Sequence, residues 1–338
     1  MSIEQKGHYA PDGEFEVSAS SKTAVFPRPA HATDKSTAAG HPASRTAVVL
    51  AFLAIYAIWG STYLAIWYAV ASIPPLYTAG FRHAIAGTIL LVSALAKGQR
   101  PTWPQIRASM VVGFLFFLVG HGTLHWAETQ IPTGLASLLI ASEPIWVFLM
   151  ACAAEKRWRM NWLLFAGVSL GLGGVALLLG RDVWSAGRGV FLGALACLTG
   201  AISWSAGIIY SRRSDLSGSP LLLSALSLLA GSTMLLATGT LLGEYRGFSF
   251  GAVTVRSWLG LGYLILFGSV IAFTAYNWLL EHFSPTTVAT HTYVNPIVAV
   301  LLGWWLAGEH VSMNVVASAA MVVAAVFLVD RGMARLKT

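Results

Sequence analysis

From residue 47 onward the chain is a succession of apolar runs, roughly 47–70, 76–97, 108–127, 132–154, 162–180, 189–210, 220–243, 258–280, 286–307 and 312–330. Each is close to the ~20 residues that an α-helix needs to cross the hydrocarbon core of a bilayer. No other feature narrows the fold as much. Lipid offers no hydrogen bonds, so a backbone crossing it must satisfy every N–H and C=O within the run itself, which only helices and closed barrels do. Barrel strands are short and alternate apolar with polar residues; these runs are long and continuous. Composition agrees: 56% of residues are hydrophobic and 10% charged, against about 25% charged in soluble domains. The reading is an all-α integral membrane protein with ten transmembrane helices.

The runs are also duplicated. Glu128-x-x-x-Pro132-Thr133 returns as Glu281-x-x-x-Pro285-Thr286, Pro144 as Pro296, and Met160-Asn161 as Met313-Asn314. Upstream, Ala86-Gly87-Thr88 returns as Ala230-Gly231-Ser232. Each copy holds five runs, giving a first repeat over 46–181 and a second over 188–331. Lys and Arg sit in the short connectors. Lys97, Arg100, Arg107, Lys156, Arg157, Arg159, Arg212 and Arg213 fall on one side together with Arg331, Arg335 and Lys337 at the C-terminus; only Arg181, Arg188, Arg246 and Arg256 fall on the other. The positive-inside rule then places both termini in the cytoplasm. An odd number of crossings per copy forces the two copies into opposite topologies, so the expected architecture is two inverted five-helix repeats.

The net charge of +7 is spread through connectors as a topology signal and does not call for a nucleic-acid partner. Cys152 and Cys197 both lie in apolar runs and read as small core residues; no zinc spacing is present. Residues 1–45 are rich in Ser, Thr, Ala, Pro and charge, and are expected to form a disordered cytoplasmic tail. Residues 332–338 are a short cytoplasmic C-terminus. Tryptophans such as Trp103, Trp126, Trp162, Trp258, Trp304 and Trp305 cluster at run ends, as an interfacial belt requires.

Several motifs in order carry a resemblance: Ile58-Trp59-Gly60-Ser61-Thr62-Tyr63, then Pro75, Gly80-Phe81-Arg82, Pro144, Pro296 and Gly308-Glu309. Over residues 47–330 the chain resembles the EamA family of the drug/metabolite transporter superfamily. The resemblance implies a ten-helix carrier that exports small metabolites or drugs.

Candidate site residues follow from polar groups inside the runs. Glu143 lies mid-run immediately before Pro144, and a charged carboxylate there costs about 2.5–3.5 kcal/mol. It could exchange a proton as access alternates, pair with a substrate ammonium, or remain a protonated group bonded to a neighbouring helix. Asn295 precedes Pro296 in the second copy, with Thr290, His291 and Tyr293 just before it. Paired polar-Pro helix breaks in related helices point to a central site, although Asn295 would equally satisfy a kinked backbone. Arg82 could hold a carboxylate, act as counter-ion to Glu143, or snorkel to the headgroups. His121 and His125 share a helix face, a spacing that suits a proton path or packing and lacks a third metal ligand. Trp59, Ser61 and Thr62 fall mid-run, with Trp204 in a related place; they could line a cavity or simply pack. Gly167-x-x-x-Gly171 and Ala320-x-x-x-Ala324 read as close helix contacts, internal or at a homodimer face. Glu128, Glu155, Glu281 and Glu309 fall near run ends and read as solvated interface charges or connector hydrogen bonds.

The expected function is a multi-pass carrier of the inner or plasma membrane. It would export a small, amino-acid-like metabolite or a drug by alternating access, with proton antiport as the drive, no cofactor and no metal. The competing classes are an integral membrane enzyme or a flippase for lipid-linked substrates, and a channel. The longest connector, around Glu244–Ser257, holds one acid and two Arg, too little for an interfacial active site.

Overall fold

A computed structural model describes residues 44–155, 161–178, 187–214, 219–283, 285–288 and 290–335. The helices are α1 (Arg45–Val70), α2 (Pro75–Ala96), α3 (Trp103–Ala127), α4 (Thr133–Ile140), α5 (Glu143–Glu155) and α6 (Trp162–Leu178), then α7 (Arg188–Arg213), α8 (Pro220–Leu241), α9 (residues 255–282), α10 (Pro285–Val288), α11 (His291–Leu306) and α12 (Met313–Arg335). Among the described residues, eight helical stretches are long and apolar enough to cross a membrane, counting α4 and α5 as one; α6 is a shorter apolar helix. In the remaining apolar run the structure describes two helices, the short α10 and α11. The protein is therefore an all-α multi-pass membrane protein. Exposed side chains such as Leu53, Val92, Phe165, Leu259, Leu301 and Val316 present the apolar outer face that lipid requires. Trp103, Trp162, Trp258, Trp304 and Trp305 are also exposed, near helix ends.

Helix limits are written in local chemistry. The Ser44 hydroxyl caps α1 by accepting from the Ala47 N–H at 3.1 Å, and Thr254 caps α9 by accepting from the Ser257 N–H at 3.2 Å. Pro75 and Pro220 occupy first positions, where a missing N–H costs nothing. Gly98 and Gly243, with φ of 74° and 83°, end α2 and α8 in left-handed turns that disfavour a Cβ.

Two departures from ideal helix recur. Within α3, residues Gly113–His121 are π-helical, and within α9 so are Leu264–Ile271. The duplication carries one segment onto the other. A π turn widens the helix and frees carbonyl oxygens from the usual ladder.

The helices pair across the two copies. α2 lies along α8 and α6 along α12; α1 packs on α9 and α11, and α7 on α3, α4 and α5. Glycines permit the closest of these contacts. A Cβ on Gly167 would stand 2.9 Å from the Val329 N and 3.0 Å from the Ala325 O, and one on Gly171 would collide with Ile145. The Gly167-x-x-x-Gly171 face is thus used inside the bundle, against α12 and α5. Cys152 and Cys197 are free and buried.

Candidate functional site

The two π segments gather most of the polar side chains singled out in the sequence. In α9 the Gly268 carbonyl accepts the Trp59 Nε1–H of α1 at 3.2 Å. One residue on, the Ser269 Oγ accepts from Arg82 Nε of α2 at 3.0 Å. Arg82 is 6% exposed, so its guanidinium turns inward onto α9 and does not reach outward to the headgroups. Thr62 packs beside it, within 3.1 Å of where a Cβ on Gly268 would lie. Ser61 is held by the Tyr263 hydroxyl at 2.7 Å, one turn earlier on α9.

Trp59 also meets α11. The His291 ring stands edge-on to it at 4.7 Å, and Tyr276 lies 5.1 Å away. Asn295 Nδ2 approaches His291 Nδ1 at 3.3 Å, while Asn295 Oδ1 is buried without a hydrogen-bond partner among the described residues. Thr290 joins the group through a 2.6 Å hydrogen bond with the Tyr56 hydroxyl. Tyr293 does not: its hydroxyl faces α12, donating to the Val326 carbonyl at 3.4 Å.

The other copy assembles a matching group with different chemistry. In the α3 π segment the Leu115 carbonyl accepts from Ser203 Oγ of α7 at 2.8 Å. The neighbouring Trp204 stacks on Phe116 at 4.3 Å and on His121 at 5.0 Å. His121 Nδ1 lies 2.7 Å from His83 Nε2 of α2, a distance that requires one shared proton between the two rings. His125 Nδ1 donates to the His121 carbonyl at 2.7 Å, leaving His125 Nε2 buried and unpartnered among the described residues. Among those residues no three His, Cys, Asp or Glu side chains form a group that could hold a metal ion.

Glu143 is positioned by the break between α4 and α5. The interruption falls at Ala141-Ser142, so Glu143 opens α5 and Pro144 follows it in the first turn. A carboxylate at a helix N-terminus sits in the favourable field of the exposed N–H groups. Glu143 is half-buried, and its own carbonyl accepts from Ser205 Oγ of α7 at 3.2 Å. In the other copy Pro296 lies within α11 without interrupting it, the break falling before His291. The Asn295 carbonyl occupies the equivalent place, 3.2 Å from where a Cβ on Gly60 of α1 would lie.

Of the acids expected as solvated end charges or connector hydrogen bonds, Glu128 departs from the expectation and Glu309 makes the connector bonds. Glu128 is 2% exposed, and the Trp67 backbone N–H is directed at its carboxylate. The charges of Glu309 and Arg82 both act on it. In the connector that follows, Ile131 is also buried, at 4% exposed. Glu309 receives the N–H groups of Thr133 and Gly134 at 2.6 and 3.1 Å, and Glu244 receives those of Leu76 and Tyr77 at 3.2 and 3.1 Å. Half-burial pushes the Glu244 carboxyl up, and its two N–H donors pull it back down. Glu155 and Glu281 have side chains outside the described residues. The only hint in the sequence was the Glu-x-x-x-Pro-Thr repeat, which marks the position of Glu128 but not its depth.

The profile of the EamA-like transporter family matches the chain twice, over residues 46–180 and 191–330. The chain is 35% identical over 291 residues to a protein of Escherichia coli strain K12 called the uncharacterized inner membrane transporter YedA, covering 83% of this chain and 90% of that one. It is 27% identical over 296 residues to the uncharacterized transporter YvbV of Bacillus subtilis strain 168, covering 86% and 92%. A solved crystal structure superposes with a TM-score of 0.59 at 21% identity, covering 87% of this chain and all of the other; that likeness concerns the fold.

Proposed function

The chain belongs to the EamA-like transporter family, and from that premise we propose that it is an inner-membrane exporter of small, amino-acid-like metabolites or drugs, working by alternating access with proton antiport. Both termini face the cytoplasm, and the two five-helix copies are inverted about an axis in the membrane plane. The likeness to an inner membrane transporter over most of both chains supports the location.

One observation carries the mechanism. Contacts between the copies come in exchanged pairs: α1 on α9 and α11 answers α7 on α3 and α5, while α2 on α8 and α6 on α12 pair each helix with its own counterpart. A bundle built this way has two arrangements of similar energy related by exchanging the roles of the halves, which is what alternating access needs. Trp59, Ser61, Thr62 and Arg82 around one π segment, and Trp204 and His121 around the other, supply aromatic faces and hydrogen-bonding groups for a polar substrate. Glu143 takes the part of the proton carrier. It stands at a helix start with its carboxylate uncommitted by any partner among the described residues, so it can exchange a proton as exposure changes. Moving one charge against 100 mV is worth about 2.3 kcal/mol.

The test is counterflow in proteoliposomes. A carrier saturates and shows counterflow, whereas a flippase moves labelled lipid-linked substrate and an enzyme alters its substrate chemically. Glu143→Gln is expected to insert normally, to retain exchange and to lose export driven by a proton gradient. Full gradient-driven export by Glu143→Gln would remove Glu143 from the mechanism.

A further inference from the structure

The α2 and α8 helices end in the same turn at opposite ends of their pair. At the end of α8, Gly243 takes φ 83° and the Glu244 N–H bonds back to the Gly239 carbonyl at 2.9 Å. At the end of α2, Gly98 takes φ 74° and the Gln99 N–H bonds back to the Ala94 carbonyl at 3.1 Å. Aligned from their first residues, Pro75 and Pro220, to the left-handed glycines Gly98 and Gly243, the two helices make Gln99 the counterpart of Glu244. Their side chains are in different circumstances. The Glu244 carboxylate crosses to the other copy and takes the Leu76 and Tyr77 N–H groups in the first turn of α2. Gln99 Oε1 is buried and accepts no hydrogen bond among the described residues. The groups that correspond to Leu76 and Tyr77 are the N–H groups of Leu221 and Leu222. They lie in the first turn of α8, where a helix has no intrahelical acceptor for them.

We propose that Glu244 and Gln99 are reciprocal gate residues: the Glu244 clasp holds one end of the carrier shut in the conformation described here, and a Gln99 clasp onto the start of α8 shuts the opposite end in the alternate one. This rests on the alternating-access reading above. Glu309 makes a second clasp at the Glu244 end, bonding the first turn of α4 from behind Gly308, whose φ is 67°. Each clasp joins a helix end of one copy to a helix start of the other, so it must break when the halves separate at that end. The pairs are chemically unequal. A carboxylate on two N–H groups makes charge-assisted bonds, roughly twice as strong as those of a neutral amide. The Glu244 end is therefore the more firmly held, which agrees with the clasp seen made.

Two substitutions read the gate without relying on transport. Thr78, fully buried one turn into α2 beside the Glu244 clasp, becomes a reporter as Thr78→Cys; Leu223→Cys is its counterpart at the other end. The native cysteines are buried and stay in place. Maleimide labelling is measured in vesicles of known orientation. Gln99→Glu gives the opposite clasp its charge, and is expected to raise labelling at position 78 and lower it at 223, changing their ratio about fivefold. Glu244→Gln is expected to move the ratio the same way. An unchanged ratio in Gln99→Glu overturns the proposal, as does a rise at both reporters in Glu244→Gln, which would mark Glu244 as a plain helix cap. Should Glu244→Gln fail to fold, Gln99→Glu decides alone, since it removes no bond present in this conformation. Counterflow by the unmodified protein, measured alongside, tests the transport reading separately. Its absence would sink that reading, whereas an unmoved ratio with counterflow intact would sink only the gate.

Discussion

The surroundings of Trp59 and Trp204 occupy corresponding places in the two copies, yet share backbone geometry and little side-chain chemistry. Each tryptophan lies against a π segment of the helix opposite, and in each case a carbonyl of that segment takes a donor from the tryptophan's own helix. Around Trp59 that donor is the indole itself, onto the Gly268 carbonyl. Around Trp204 it is the neighbouring Ser203 hydroxyl, onto the Leu115 carbonyl. The first region then fills with His291, Asn295, Tyr276 and Arg82, the second with His83, His121, His125 and Phe116. Duplication has preserved the positions where backbone polar groups are exposed to side chains, and left the side chains free to diverge. A carrier that must move between two related arrangements needs its irregular backbone in both copies, whereas substrate recognition needs only one set of groups.

Replacing one copy's residue with its counterpart tests this directly. Gly60 corresponds to Ser205, and a Cβ at Gly60 would stand 2.5 Å from Val298 Cβ and 2.8 Å from its Cγ1. Gly60→Ser is therefore expected to lower stability by about 1–3 kcal/mol through overpacking, measured as thermal unfolding in detergent. No loss would mean that α1 and α11 can separate freely. Trp59→Phe removes the donor to the Gly268 carbonyl and is expected to cost about 1–2 kcal/mol, against under ~1.5 kcal/mol for Trp204→Phe, which keeps an aromatic face on Phe116 and His121. Equal costs would refute the asymmetry between the two regions. The smallest effect belongs to the His83–His121 bond. A double-mutant cycle through His83→Ala and His121→Ala should return a coupling of about 0.5–1.5 kcal/mol. A coupling near zero would show two independent buried rings.

Much of this protein was legible in its sequence. Gly167, Gly171 and the Met160-Asn161 repeat marked real contacts: Asn161 Oδ1 caps α6 by accepting from the Leu164 N–H at 3.0 Å while its Nδ2 holds the Gly332 carbonyl of α12 at 2.9 Å. Trp59, Ser61, Thr62 and Arg82 were singled out by type and depth, and do converge on α9. Glu128 was misjudged, because position along a helix says nothing about which distant segments pack over it. Arg82 offered both an inward and an outward path, and only Ser269, far away in sequence, distinguishes them. Neither π segment had a sequence signal, since Gly113–His121 and Leu264–Ile271 contain nothing that a regular helix would refuse.

The chain by itself determined that it is helical, that it crosses the bilayer repeatedly and that it is doubled. Those properties follow from the cost of leaving backbone groups unbonded in lipid and from residue identities that recur in order. The tertiary structure alone decided how each helix is rotated about its axis, where the ladder slips to free a carbonyl, and which acid reaches across to close a neighbour's first turn. Such choices arise from packing between segments far apart in sequence, where an ångström of approach separates a hydrogen bond from a buried, unpaired group.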